Sequence, residues 1–187
     1  MVSKTIGGSS ILSTPAIFRK TSYFYFFMLE IKKYPEPILR KECREVKEID
    51  DDVLKLIENM KKKIIEAEGV GLAANQVGIG KKIIVVLTEK GPEAFINPKI
   101  LKKSSEAKIL EEGCLSLPGI PLSIKRSKEI LVDALDVDGK VLQIEAKNLQ
   151  AQIFQHEIDH IEGRLIIDRI SFFERFKIRK QLKGLST

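Results

Sequence analysis

The chain has 187 residues, 43% hydrophobic and 31% charged, which suits one globular domain with a single sizeable core. Two cysteines, Cys43 and Cys114, are too few for a disulfide scaffold and fit a reducing compartment. No stretch approaches the roughly 18 apolar residues of a membrane span, and the net charge of +6 argues only weakly for nucleic-acid binding, because residues 1–29 carry +3 of it through Lys4, Arg19 and Lys20.

Residues 1–27 differ from the rest. They contain no acidic residue, are rich in Ser, Thr and Gly, and end in the aromatic run Tyr23-Phe24-Tyr25-Phe26-Phe27. They are read as an extension created by a start assigned too early, with Met28 as the true start. An organelle transit peptide and sequence added in cloning are the alternatives. The expected location is the cytoplasm, or an organelle under the transit-peptide reading.

From residue 50 to 68 the spacing of Val53, Leu56, Ile57, Met60 and Ile64 predicts a helix, with N-cap candidates at Asp50 to Asp52 and Gly69 as its stop. The glycine-punctuated segment Gly69-Val70-Gly71-Leu72-Ala73-Ala74-Asn75-Gln76 follows. Residues 83–87 read as a buried strand, with short strands around 94–97 and 107–111. Residues 129–137 and 141–146 flank Asp138-Gly139, a hairpin signal. Asn148 is the expected cap of a helix running through Ile161, with Gly163 as its stop. Residues 172–182 predict a third helix.

His156-Glu157-Ile158-Asp159-His160 is an HExxH pattern. At helical spacing the two imidazoles share a face and can reach one ion, while Glu157 can approach water beside it. These are the chain's two histidines. Leu149, Ile153, His156 and His160 form one stripe, expected to face inward. A pair of core or capping histidines is the alternative. A third ligand is offered by Cys114, where the preceding glycine and following Pro118 argue for a bend at a strand end. A lone cysteine is more often a small buried hydrophobe, the role expected of Cys43, so both readings of Cys114 stay open at this point. Three protein ligands and one open position mark a catalytic site, and spacing alone would name zinc.

Three segments together resemble the peptide deformylases, whose motifs run GxGLAAxQ, EGCLS and HExDH. Here they read Gly69 to Gln76, then Glu112-Gly113-Cys114-Leu115-Ser116, then His156 to His160, matching at every fixed position. The similarity extends from Met28 to about Leu185 and includes Asn97-Pro98, Arg126 and the turn at 136–139. It implies an α+β fold of small antiparallel sheets packed around a central helix carrying HExDH. It implies Cys114, His156 and His160 as ligands of one divalent ion, iron(II) first, with zinc, nickel or cobalt as substitutes.

The resemblance also implies an activity: hydrolysis of the N-formyl group from the starting methionine of nascent peptides, releasing formate. Glu157 would move the proton, and Gln76 with the Leu115 backbone N–H would face the oxyanion. Gly69 and Gly71 would let backbone approach substrate, and Val70, Leu149 and Ile153 are candidates for the methionine pocket. Glu112 is either an orienting carboxylate or a solvated one. Asp159 supports a ligand histidine or pairs with a cation, and Arg126 is expected in a structural salt bridge. The basic helix, with Phe173, Phe176, Ile178 and Leu182 as its packed side, would make weak ribosome contact. A monomer with no membrane association is expected. The rivals are a zinc peptidase, which usually takes a third His or Glu, and a zinc-stabilised binding module with four ligands.

Overall fold

A computed structural model describes residues 29–185, so the 1–27 extension and Met28 lie outside the described residues. Helix α1 covers Asp51–Glu66. Seven strands follow in part: β1 Gly71–Ala73, β2 Ile83–Thr88, β3 Gly91–Lys103, β4 Ala107–Glu112, β5 Leu122–Ser127, β6 Glu129–Leu135 and β7 Val141–Lys147. Helix α2 is Asn148–Ile161 and α3 is Phe172–Gly184. One antiparallel sheet has the order β1-β2-β3-β6-β7, and β4 pairs with β5 in a second. The expected α+β arrangement is therefore present.

The period of two in β2 explains why its apolar run is continuous. Ile84 and Val86 face α2, while Ile83 and Val85 face α1, so both sides of the strand are buried. On α1, Val53, Leu56, Ile57, Met60 and Ile64 make the stripe that meets this second face, as the spacing predicts. Asp50 caps the helix by accepting from the Val53 N–H at 2.8 Å, a cap of the kind worth about 1 kcal/mol. The helix does not stop on Gly69. Glu68 takes the left-handed conformation at φ 52°, the Glu68 N–H donates to the Ile65 carbonyl and the Gly69 N–H to the Ile64 carbonyl. Gly69 is small for a different reason: a Cβ there would lie 3.1 Å from the Leu115 side chain.

Helix α2 is the centre of the molecule. Ala151, Phe154, Ile158 and Ile161 pack on the sheet, and Phe95 meets Phe154 edge-to-face with ring centroids 4.8 Å apart. Its start differs from expectation. Asn148 makes no side-chain cap and instead enters the helix with φ 52°. Its end is as read. Gly163 has φ 75°, its N–H donates to the His160 carbonyl and the Arg164 N–H donates to the Asp159 carbonyl. A Cβ at Gly163 would fall 2.7 Å from the Arg40 carbonyl oxygen, so both backbone conformation and close approach require glycine.

Asn97 interrupts β3 at a register shift, with φ 51°. Its amide binds the Val46 backbone in both directions, at 2.8 and 2.9 Å, and so fastens the N-terminal segment to β3, the middle strand of the sheet. A third apolar cluster joins Leu122 and Ile124 of β5 to Leu165, Ile166 and Ile167 and to Leu182 of α3. Ser171 and Glu174 cap α3 reciprocally. Its expected packed side is present only in the C-terminal half: Leu182 is buried and Ile178 packs partly buried against this cluster, whereas Phe173 and Phe176 are exposed.

Candidate metal centre

Two of the three donors come from adjacent turns of α2 and the third from the loop after β4. Strand β4 ends at Glu112. Gly113 follows, and the Leu117 N–H closes a turn on the Cys114 carbonyl at 2.9 Å. That bend carries the Cys114 sulfur to 3.2 Å from His160 Nε2. The imidazoles of His156 and His160 lie with centroids 5.0 Å apart. The ligand atoms of Cys114, His156 and His160 are all within 4.8 Å of one another, close enough for one cation to contact all three. A sulfur and two imidazole nitrogens suit a first-row divalent transition ion and not calcium or magnesium.

The two imidazoles differ in protonation: burial opposes charge on His156, but its hydrogen bonds to Cys114 and Glu112 and the nearby Glu157 outweigh it and raise His156 well above the ordinary histidine range, so an incoming cation must displace a proton there. His160 is completely buried, and burial first, then the nearby positive groups, pushes it well below the ordinary histidine range, towards the neutral form a ligand needs. His156 is held from behind. Its Nδ1 lies 2.9 Å from Glu112 Oε2, which in the neutral ring favours the tautomer with Nδ1 protonated and the Nε2 lone pair directed to the donor group. Burial alone would raise the Glu112 pKa. The two hydrogen bonds from Arg126, at 2.8 and 2.9 Å, together with His156, outweigh it and hold Glu112 down at about 2. Arg126 also donates to Asp159 Oδ2 at 2.5 Å. Arg126 is thus the expected salt-bridge residue, and Glu112 orients a group of the centre. Asp159 pairs with cations, Arg126 and Arg169, and not with a histidine.

Glu157 projects from the same helix into the cleft. It is only 3% exposed, and its Oε2 is one of three buried side-chain atoms without a hydrogen-bond partner among the described residues. Burial above all pushes its pKa up to about 7, so at neutral pH it is poised to take or give a proton. Room for it exists because residue 71 is glycine. A Cβ there would sit 2.2 Å from Glu157 Oε1. The close approach at Gly71 is therefore made by this carboxylate.

Gln76 lies in the turn after β1 and is 1% exposed, so it is not a solvated amide. The Ala73 N–H donates to its Oε1 at 2.8 Å, which fixes the amide orientation and turns Nε2 towards Ser116 Oγ at 3.2 Å and the Cys114 sulfur at 3.7 Å. The cleft above these groups has a volume of about 380 Å³. Gly69, Val70, Gly71, Leu149 and Ile153 line it, with Leu115 following Cys114. The stripe on α2 faces inward as expected at Ile153, His156 and His160, and departs from expectation only at Leu149, which is 63% exposed at the cleft.

Three supporting residues had no role assigned from the sequence, two of them, Asn75 and Ser116, inside the motifs. Asn75 donates to the His160 carbonyl at 2.6 Å, Ser116 accepts from Gln76, and Arg169 donates twice to Asp159. Ser116 stood inside a motif and could have been found there. Arg169 carries no local signal, because the turn at Gly163 separates it from Asp159.

The polypeptide deformylase family model matches residues 28–176. A peptide deformylase of Thermodesulfovibrio yellowstonii is 47% identical over 162 residues, covering 83% of this chain and 97% of that protein. One from Thermotoga maritima is 42% identical over 159 residues, covering 85% and 97%. The crystal structure of the Thermotoga maritima protein superposes with a TM-score of 0.75 at 44% identity, covering 77% of this chain and 98% of that one. That of the Plasmodium falciparum enzyme gives 0.79 at 37% identity, covering 83% and 94%.

Replacing Arg126 by Met leaves Glu112 buried without its cation and is expected to cost about 3–5 kcal/mol in urea unfolding at pH 7. The Glu112 contribution has a sign. Its folded pKa of about 2 lies below the ordinary glutamate value of 4.5, so its stabilisation is complete above about pH 4.5 and is lost as pH falls towards 2. Wild type should lose stability through that window and Arg126→Met much less; equal acid slopes would contradict the pairing.

Proposed function

This chain belongs to the polypeptide deformylase family, and from that premise we propose how its residues remove the formyl group from the N-terminus of nascent peptides. Cys114, His156 and His160 are the ligands of one divalent ion, iron(II) in first place, with zinc, nickel and cobalt as substitutes. When bound, the ion supplies Lewis acidity, acidifying water and polarising the formyl carbonyl. Glu157 accepts the proton of the water that attacks the formyl carbon. It then returns that proton to the departing amine nitrogen, so that formate and a free N-terminal methionine leave. The Gln76 amide and the Leu115 backbone N–H donate to the oxyanion as it forms. Val70, Leu149 and Ile153 receive the methionine side chain, with the Gly69 and Gly71 backbone alongside the peptide.

The observation that carries this reading is the conjunction of one thiol and two imidazole donors with a buried carboxylate whose Oε2 has no hydrogen-bond partner among the described residues, at one cleft. It favours a hydrolase over a binding module, which would need a fourth protein ligand. Cys43 does not supply one: it packs in the core between the sheet and α2, 4% exposed, and burial pushes its thiol up to about 11. Cysteine as the third donor supports deformylation over peptidase chemistry.

Residues 28–187 are proposed as the catalytic domain, acting as a monomer in the cytoplasm, with 1–27 an extension to it. No helix among the described residues is long and apolar enough to cross a membrane. We also propose weak ribosome contact through α3. Its exposed Phe172, Phe173 and Phe176 lie among Arg175, Lys177, Arg179, Lys180 and Lys183, a surface suited to an anionic partner.

Glu157→Gln is expected to lower kcat for formyl-Met peptides by about 10²–10⁴-fold while metal content stays at the wild-type level. Turnover close to wild type would remove Glu157 from the proton-transfer role. Truncation after Arg175 should abolish co-sedimentation with ribosomes at low salt; unchanged co-sedimentation ends that part of the reading.

A further inference from the structure

The charged chain behind His156 does not end at Arg126. Glu112 contacts His156 Nδ1 at 2.9 Å, Arg126 holds Glu112 with two bonds, and Arg126 Nη1 reaches Asp159 Oδ2 at 2.5 Å. Arg169 then closes on the far side of Asp159, with Nε donating to Oδ2 at 3.0 Å and Nη2 to Oδ1. The side chains of Glu112, Arg126 and Asp159 are 7% exposed or less, whereas Arg169 is 33% exposed. Arg169 is therefore the point at which the buried chain reaches solvent, two residues before the cap of α3.

Charge explains why a fourth member is needed. Arg126 is shared between two buried carboxylates; Glu112 also has His156, so Asp159 is the one that has no second cation unless Arg169 supplies it. Removing Arg169 would leave Asp159 with only its share of Arg126 and would free it to turn and draw Arg126 away from Glu112. The fork geometry matters as well as the charge, since two parallel bonds fix the carboxylate plane.

We propose that Arg169 is a positioning residue for His156, acting through Asp159, Arg126 and Glu112 to hold the imidazole in its ligating orientation. This rests on the reading of Cys114, His156 and His160 as ligands. It gives the segment leading into α3 a mechanical connection to the centre that no motif contains.

The test uses the full chain loaded with nickel(II) and compares wild type, Arg169→Gln and Arg169→Lys. The exposed Arg164, paired with Glu162, serves as control through Arg164→Gln. Release of nickel into excess EDTA should be about tenfold faster in Arg169→Gln, intermediate in Arg169→Lys and unchanged in the control. In the metal-free protein labelled with ¹⁵N-histidine, the His156 Nδ1–H proton should be sharp in wild type and broadened by solvent exchange in Arg169→Gln. Release within about twofold of wild type, with an unchanged His156 proton, overturns the proposal. If wild type itself holds no nickel, the ligand reading fails instead, and the metal-free proton measurement alone decides the role of Arg169.

Discussion

A buried carboxylate costs several kcal/mol unless it is paired, and the centre depends on how Glu112 is paired. Arg126 grips it from one side and His156 from the other. That pairing allows a carboxylate to sit inside the protein directly behind an imidazole. It anchors His156 at Nδ1 and leaves Nε2 as the ring atom available to a cation. Strand β5 supplies Arg126, strand β4 supplies Glu112, and α2 supplies His156 and Asp159. The small sheet and the central helix are thus joined through charge as well as through apolar contact.

The neighbouring Glu157 is managed in the opposite way. Nothing pairs its Oε2 among the described residues, and burial raises its pKa towards neutrality. One helix therefore meets two kinds of carboxylate within a single turn: a fully compensated one that orients the His156 imidazole, and one, Glu157, left without a cation on its Oε2 and able to move a proton. Divergent environments of this kind separate structural from chemical roles for the same side-chain type. Gly71 makes the second environment possible by leaving space for Glu157 at the edge of the sheet.

Much of this was legible in the sequence where a local pattern maps onto a local structure. The α1 stripe, the β6–β7 hairpin, the Gly163 stop and the three motifs all fall into that class. Strand β5 was missed because Leu122, Ile124 and Arg126 share its buried face, and a charged residue at an inward position hides the alternation. Strand β1 has three residues and opens on a glycine, too short for any period to show. In the stripe from Leu149 to His160 only Leu149 departs from the inward reading, because it lies in the first turn of α2 at the open cleft while the later turns are covered. Asn148 looked like a cap because its type suits one, yet its backbone sits in the left-handed region that asparagine also tolerates. Arg169 illustrates the general limit: partners brought together by a chain reversal leave no mark at fixed spacing.

The central claim is that a thiolate and two imidazoles share one ion and leave it open to solvent and substrate. X-ray absorption on the anaerobically purified protein measures this directly. One sulfur and two imidazole nitrogens per metal, with the remaining scatterers light atoms of solvent, is the result expected. A metal shell without sulfur, or one closed by four protein donors, would contradict it.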